Sequence, residues 1–199
     1  MSHQKTKKGF TIIEVVLVLA IAGLIFLMVF LALPALQRSQ KDTQRRDQLS
    51  MLVTQITQYQ ANNRNRLPTC SNADKCVVDP DADGKIDEND KSGWAQFYRN
   101  YLLAQNDVFE DPNGNPYRLQ IVPCDPTSKK DGEACSVQRS GAEFSGAESD
   151  EGSNDVQNYR ILITTNSVCD GENIVYNTGA RRLSVAYKLE GGGMYCSNN

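Results

Sequence analysis

The residues from Asp79 to Asp90 (Asp-Pro-Asp-Ala-Asp-Gly-Lys-Ile-Asp-Glu-Asn-Asp) are the densest set in the chain able to do chemistry. Aspartates stand at positions one, three, five, nine and twelve of this run, with glycine at six and an aliphatic at eight. That order suits a hard divalent cation bound through oxygen. Asp79, Asp81 and Asp83 offer side-chain oxygens, Lys85 its backbone carbonyl, Asp87 a direct or water-mediated contact, and Asp90 closes the site. Gly84 permits the sharp turn that gathers them. Five aspartates this close repel one another without a counter-ion. The expected cofactor is structural Ca2+, and an acidic solvated loop is the alternative. The run resembles an EF-hand calcium loop with two departures. Position twelve is Asp rather than the longer Glu, and Cys70 to Val78 reads as a loop where a helix would stand. The closer likeness is to a dockerin-type loop.

A second set lies at Lys7-Lys8-Gly9-Phe10-Thr11-Ile12-Ile13-Glu14, followed by twenty-two uncharged residues from Val15 to Leu36. At 1.5 Å per residue that run spans roughly 33 Å, the thickness of a bilayer's hydrocarbon core. It is too long for a cleaved secretory signal, and no small-residue cleavage site follows it. Glu14 is a carboxylate at the edge of this run, costly there and therefore a functional candidate, with snorkelling to the headgroups as the alternative.

The elements that carry these sets follow in order. Gln37 to Gln48 is polar all round and free of Gly and Pro, and Asp42 has Arg38 four residues before and Arg46 four after. Leu49, Leu52, Val53, Ile56 and Tyr59/Gln60 then form one apolar face. One helix from about Phe10 to Asn62 is expected, bent or loosened near Phe30 by Pro34. Its last third should dock on the domain that follows. Ser92 caps a helix running to about Gln105. Asp111 to Pro116 is a turn by composition. Tyr117–Val122 reads as the first strand, followed by a Gly/Ser/acid-rich excursion over 124–156. Tyr159–Thr165, Asn173–Tyr176, Leu183–Leu189 and Gly193–Cys196 supply further strands. Alternation at Leu183, Val185, Tyr187 and Leu189 marks a half-buried strand, and Gly191-Gly192-Gly193 a turn. The fold class is α+β, a long helix packed on a small antiparallel sheet.

Composition narrows the function. The formal charge is −3, and residues from Phe10 onward carry 18 basic and 24 acidic side chains, which argues against a nucleic-acid-binding domain. The only histidine is His3, so the part after Gly9 has neither a Ser-His pair nor a histidine-containing metal site. No phosphate-binding glycine loop is present, and the cation spacing explains the paired carboxylates better than glycoside hydrolysis does. An enzyme is not expected. All six cysteines follow the apolar run and match no zinc spacing. An exported, disulfide-bonded domain is expected, with free thiols the alternative. Six cysteines allow 15 connectivities. Short loops favour Cys70–Cys76, Cys124–Cys135 and Cys169–Cys196.

Lys-Gly-Phe-Thr-Ile-Ile-Glu before an apolar helix resembles the N-terminus of type IV prepilins and their pseudopilin relatives, over residues 7 to about 25. The resemblance implies a pilin-like fold: a leader over 1–9, a transmembrane and filament-core helix over 10–36, an amphipathic continuation over 37–66, and an extracellular domain over 67–199. It implies cleavage after Gly9 by prepilin peptidase, methylation of Phe10, and assembly through Glu14. Cleavage turns a neutral amide at Phe10 into a charged amine, which a neighbouring subunit's Glu14 can neutralise. The implied partners are further copies or other pilins, the membrane assembly machinery, and membrane lipid before assembly. The implied place is the cytoplasmic membrane, then a surface pilus used for motility, adhesion or DNA uptake. Asp111-Pro-x-Gly-x-Pro-Tyr117 also resembles a segment of the major pseudopilins of type II secretion. A pseudopilin is thus one alternative, and a membrane-anchored calcium-binding adhesin is another.

Overall fold

The computed structural model describes residues 9–70, 76–78, 86, 91–103, 109–125, 130–135, 159–178 and 181–199. Two units divide the chain between Gln40 and Lys41.

Helix α1 (Ile12–Asn62) belongs to both units and runs through Pro34 as a single helix. In the first unit it is long and apolar enough to cross a membrane, and its most apolar stretch buries nothing. Among the described residues, every exposed large apolar side chain except Val77 lies between Phe10 and Leu36. An apolar surface on all sides of one helix suits lipid or a bundle of such helices rather than water.

In the second unit a five-stranded sheet has the order β1 (Cys76–Val78), β2 (Arg118–Pro123), β3 (Arg160–Thr165), β6 (Leu183–Lys188), β7 (Met194–Asn198). A separate hairpin pairs β4 (Ser167–Asp170) with β5 (Asn173–Tyr176). The docked part of α1 places Leu49, Leu52 and Ile56, each fully buried, against Leu119, Ile121, Ile161, Ile163, Val185 and Tyr187. A stripe at helical spacing thus meets the inward set of strands at spacing two. Short helix α2 (Gly93–Phe97) closes the same core with Trp94 and Phe97. Ser92 caps it, its hydroxyl accepting from the Ala95 N–H at 3.1 Å.

Four sequence expectations need correction. The sheet is not wholly antiparallel, because β2 and β3 run parallel, Arg118 opposite Arg160 through Pro123 opposite Thr165. The long 124–159 connection supplies the crossover that a parallel pair requires. Cys76–Val78 is a strand and the first one, its Val77 opposite Gln120 of β2. The helix capped by Ser92 keeps α geometry for five residues only, then widens into a π-helical turn over Tyr98–Leu103. Finally, β6 is buried on both faces. Ala186 joins Leu162, Ile174, Cys124 and Cys135 in a second cluster on the side of the sheet away from α1. Strand β4, which the periodicity did not reveal, belongs to the hairpin that supplies Ile174 to this cluster.

Two disulfides hold the hairpin region. Cys124 is bonded to Cys135, and Cys169 of β4 to Cys196 of β7. Cys70 is disulfide-bonded as well. The side chain of Cys76 lies outside the described residues.

Candidate functional site

At the start of α1, Gly9 and Phe10 precede the first helical turn, and Phe10 is 90% exposed. Thr11 and Glu14 form a reciprocal capping box. The Glu14 carboxylate accepts from the Thr11 N–H at 2.9 Å and from the Thr11 hydroxyl at 2.8 Å. The Glu14 N–H donates back to the Thr11 hydroxyl at 3.4 Å. Thr-x-x-Glu is readable in the sequence as a helix start, and it gives Glu14 a second role besides any pairing between subunits. One oxygen of the carboxylate holds the end of its own helix.

A larger polar assembly, unforeseen from the sequence, stands where α1 enters the second unit. Arg45 is 0% exposed. Its Nε donates to Oδ2 of Asp111 at 2.7 Å and its Nη2 to Oδ1 at 3.2 Å, a side-on bidentate pair. Its Nη1 donates to Asp42 Oδ1 at 2.9 Å and to Glu190 Oε2 at 3.0 Å. The guanidinium carbon also lies 6.0 Å from the centre of the Tyr187 ring. Three carboxylates therefore surround one buried cation. Burial works to lower the affinity of Arg45 for its proton, but the Asp111 and Glu190 bonds outweigh it and raise the pKa further.

Asp42 is held from the opposite side. Its carboxylate accepts the backbone N–H groups of Glu190 at 2.9 Å and Gly191 at 2.8 Å, in the turn between β6 and β7. Burial works to raise its pKa, but those two N–H groups together with Arg45 bring it below the usual carboxylate value. A side chain at position 191 would put its Cβ 2.9 Å from Asp42 Oδ2, and Gly192 and Gly193 have φ of 93° and 80°. Three consecutive glycines thus let the turn close over a helix carboxylate. Asp42 does not pair with Arg38 or Arg46, as its spacing suggested. Arg46 instead lies 5.7 Å from the Tyr195 ring.

Asp111 has two tasks within its turn. Besides holding Arg45, its Oδ1 accepts the Asn113 N–H at 2.9 Å, the Asx-turn bond that Asp-Pro-Asn-Gly favours. The Asn113 side chain in turn accepts from Lys41 Nζ at 2.8 Å. Tyr187 donates to Asp111 Oδ2 at 3.4 Å, and Tyr98 to the Tyr117 carbonyl at 3.1 Å. Burial raises the pKa of all three tyrosines, Tyr98, Tyr117 and Tyr187.

The calcium-type ligands Asp79, Asp81, Asp83, Lys85, Asp87 and Asp90 lie outside the described residues. Val78 before the run and Ile86 within it are described, and both are buried in the main core.

Residues 4–30 match the family model described as the prokaryotic N-terminal methylation motif. The match is a prepilin-type leader followed by an apolar helix, and it supports a protein of the type IV pilin and pseudopilin class. Proteins of this class are structural rather than enzymatic, are anchored in a membrane by that helix, and depend on processing and assembly partners. The α+β layout, a long apolar helix continuing onto an antiparallel-rich sheet, is consistent with a pilin-like fold. No curated protein and no solved structure matches the chain.

Proposed function

We propose that the chain is a structural subunit of a type IV pilus, cleaved after Gly9 by prepilin peptidase, methylated at Phe10 and assembled through α1 into a surface filament. One observation carries this reading: the matched leader joins directly to a helix whose apolar residues are exposed from Phe10 to Leu36. Lipid covers that surface before assembly, and other helices of the same kind cover it afterwards. Glu14 is the only carboxylate in the stretch. Two unit charges about 4 Å apart attract by about 4 kcal/mol at an effective dielectric near 20. A charged Phe10 amine on one subunit and Glu14 on another can therefore neutralise each other, through carboxylate bonding capacity that Thr11 does not use. Mass spectrometry of sheared surface filaments tests this. An N-methylated peptide starting at Phe10 is expected there. Its presence in the membrane fraction alone would favour the second reading, a type II secretion pseudopilin, which the Asp111–Tyr117 segment supports. A chain that keeps its first nine residues in both fractions would leave only a membrane-anchored adhesin.

Ca2+ is the proposed structural cofactor. Val78, just before the Asp79–Asp90 run, and Ile86 within it are buried in the core, and the five aspartates are the donor set Ca2+ prefers. Calorimetry on the full chain in detergent should give one site. An absence of heat at millimolar Ca2+ would remove the cofactor and leave the filament reading untouched.

A further inference from the structure

We propose that the Arg45 cluster is a releasable clasp. In this reading Lys41–Gln48 of α1 lifts off the domain as a unit while Leu49–Gln60 stays docked. The inference needs only a membrane-anchored helix and does not depend on which filament, if any, the chain builds.

The two parts of the docked helix are held by different physics. From Lys41 to Arg46 the contacts on the domain are polar. They are Lys41 to Asn113, Asp42 to the Glu190 and Gly191 N–H groups, Arg45 to Asp111 and Glu190, and Arg46 over Tyr195. From Leu49 onward the contact is mainly the fully buried stripe of Leu49, Leu52 and Ile56, with uncharged hydrogen bonds at Ser50 to Tyr195 and at Gln60 to Arg181 and Asn199. Lifting the first part hands its ions back to water, and the solvation regained offsets most of the Coulomb attraction lost. Lifting the second part exposes apolar surface with no such return. The groups that hydrogen-bond Asp42 and Arg45 on the domain sit in turns, the one at Asp111 and the one at Leu189–Gly193, and Tyr187 and Tyr195 meet the cations from strands only through their rings, so the sheet ladder stays intact when the clasp opens.

Position gives the clasp its use. It begins at Lys41, the first residue of the domain unit, next to the helical stretch that belongs to the other unit. Opening it frees about eight residues, roughly 12 Å of helix, before the apolar dock begins. That slack lets the domain shift its hold on an anchored or packed helix without unfolding.

The amides of Glu190 and Gly191 report the clasp directly, because both donate to Asp42. In the full chain in detergent micelles, we expect them to exchange at least tenfold faster than the amides of the central strand β6, at rates insensitive to low urea. Labelling of the Arg45 guanidinium by a dicarbonyl reagent should show the same urea independence. Both 1 M NaCl and Asp42→Asn should raise that labelling fivefold or more and leave exchange in β6 unchanged. The proposal is overturned if Arg45 labelling and Glu190/Gly191 exchange share the rate and urea dependence of β6. It is equally overturned if salt or Asp42→Asn accelerates the clasp and β6 together, since docked helix and sheet would then open as one unit.

Discussion

Replacing Asp111 by alanine is the sharpest single test of the polar assembly. The change removes two charge-assisted bonds, 2.7 and 3.2 Å, from a guanidinium that has no exposure to water. It also removes the acceptor of the Asn113 N–H and of the Tyr187 hydroxyl. Breaking a buried ion pair by deleting one partner costs about 3–5 kcal/mol. The lower end applies, because Asp42 and Glu190 still neutralise Arg45 through Nη1. Losing the local turn bond adds about 1 kcal/mol. The expected loss is therefore about 3–4 kcal/mol, which lowers the melting temperature by roughly 10 °C for a domain of this size. Trp94 is the only tryptophan and is buried in the core, so its fluorescence follows urea unfolding of the full chain in detergent. Asp111→Leu combined with Arg45→Met should be less damaging than the sum of the two singles, with at least about 2 kcal/mol of coupling. A loss below about 1 kcal/mol for Asp111→Ala would refute the reasoning, because the guanidinium would then be rehydrating freely in the folded state.

Stability should fall at both ends of the pH scale. The folded state lowers the pKa of Asp42, so its contribution is present above the unfolded carboxylate value of about 3.9 and is lost as pH drops through the folded one. Tyr98, Tyr117 and Tyr187 are raised, so the unfolded chain ionises first and stability declines above about pH 10; urea midpoints across pH check both limbs. Removing Cys169–Cys196 as a double alanine variant should cost about 3.5 kcal/mol for its 27-residue separation, read from the same urea curves. Arg64, in the turn just after α1, has φ of 56°, and the next residue, Asn65, donates its N–H to the Gln60 carbonyl at 2.7 Å. Arg64→Gly should therefore raise stability by about 0.5–1 kcal/mol, seen as a higher melting temperature.

The apolar dock was legible because Leu49, Leu52 and Ile56 keep helical spacing, and the same rule read backwards would have found the clasp. Asp42, Arg45, Leu49, Leu52, Ile56 and Gln60 are successive steps of three or four on one face, and all six are buried. Charge hid the first two, since ionic residues at that spacing ordinarily face water. Asp111 was hidden by its own turn chemistry, which already accounted for an aspartate before proline. Strand β1 spans three residues, too few for any period to show. The burial of β6 on both faces was written in Ser184 and Ala186, small residues on what alternation alone marks as an outer face. The Thr11–Glu14 capping box is equally visible as Thr-x-x-Glu, beside the assembly role that the leader resemblance implies for Glu14. At Asp42, Asp111 and Glu14, one sufficient explanation for the residue conceals a second.

The cost of deleting Asp111 and the ease of opening the clasp constrain each other. A variant without Asp111 can always escape its unpaired guanidinium by lifting Lys41–Gln48 into water. The part of its loss that comes from the unpaired guanidinium therefore cannot exceed the free energy at which the wild-type clasp opens, whereas the turn bond to Asn113 is lost in either state. An Asp111→Ala loss of about 3–4 kcal/mol, less about 1 kcal/mol for the turn bond, then requires Glu190 and Gly191 to be protected by at least about 2–3 kcal/mol, roughly 30- to 160-fold in exchange. Protection above that bound and below that of β6 is the window in which a buried ion cluster is both a strong clamp and a separable one. Protection below the bound would mean that the clasp opens too easily to support the predicted Asp111→Ala loss, so that the contacts from Leu49 onward supply most of the hold of the helix on the sheet.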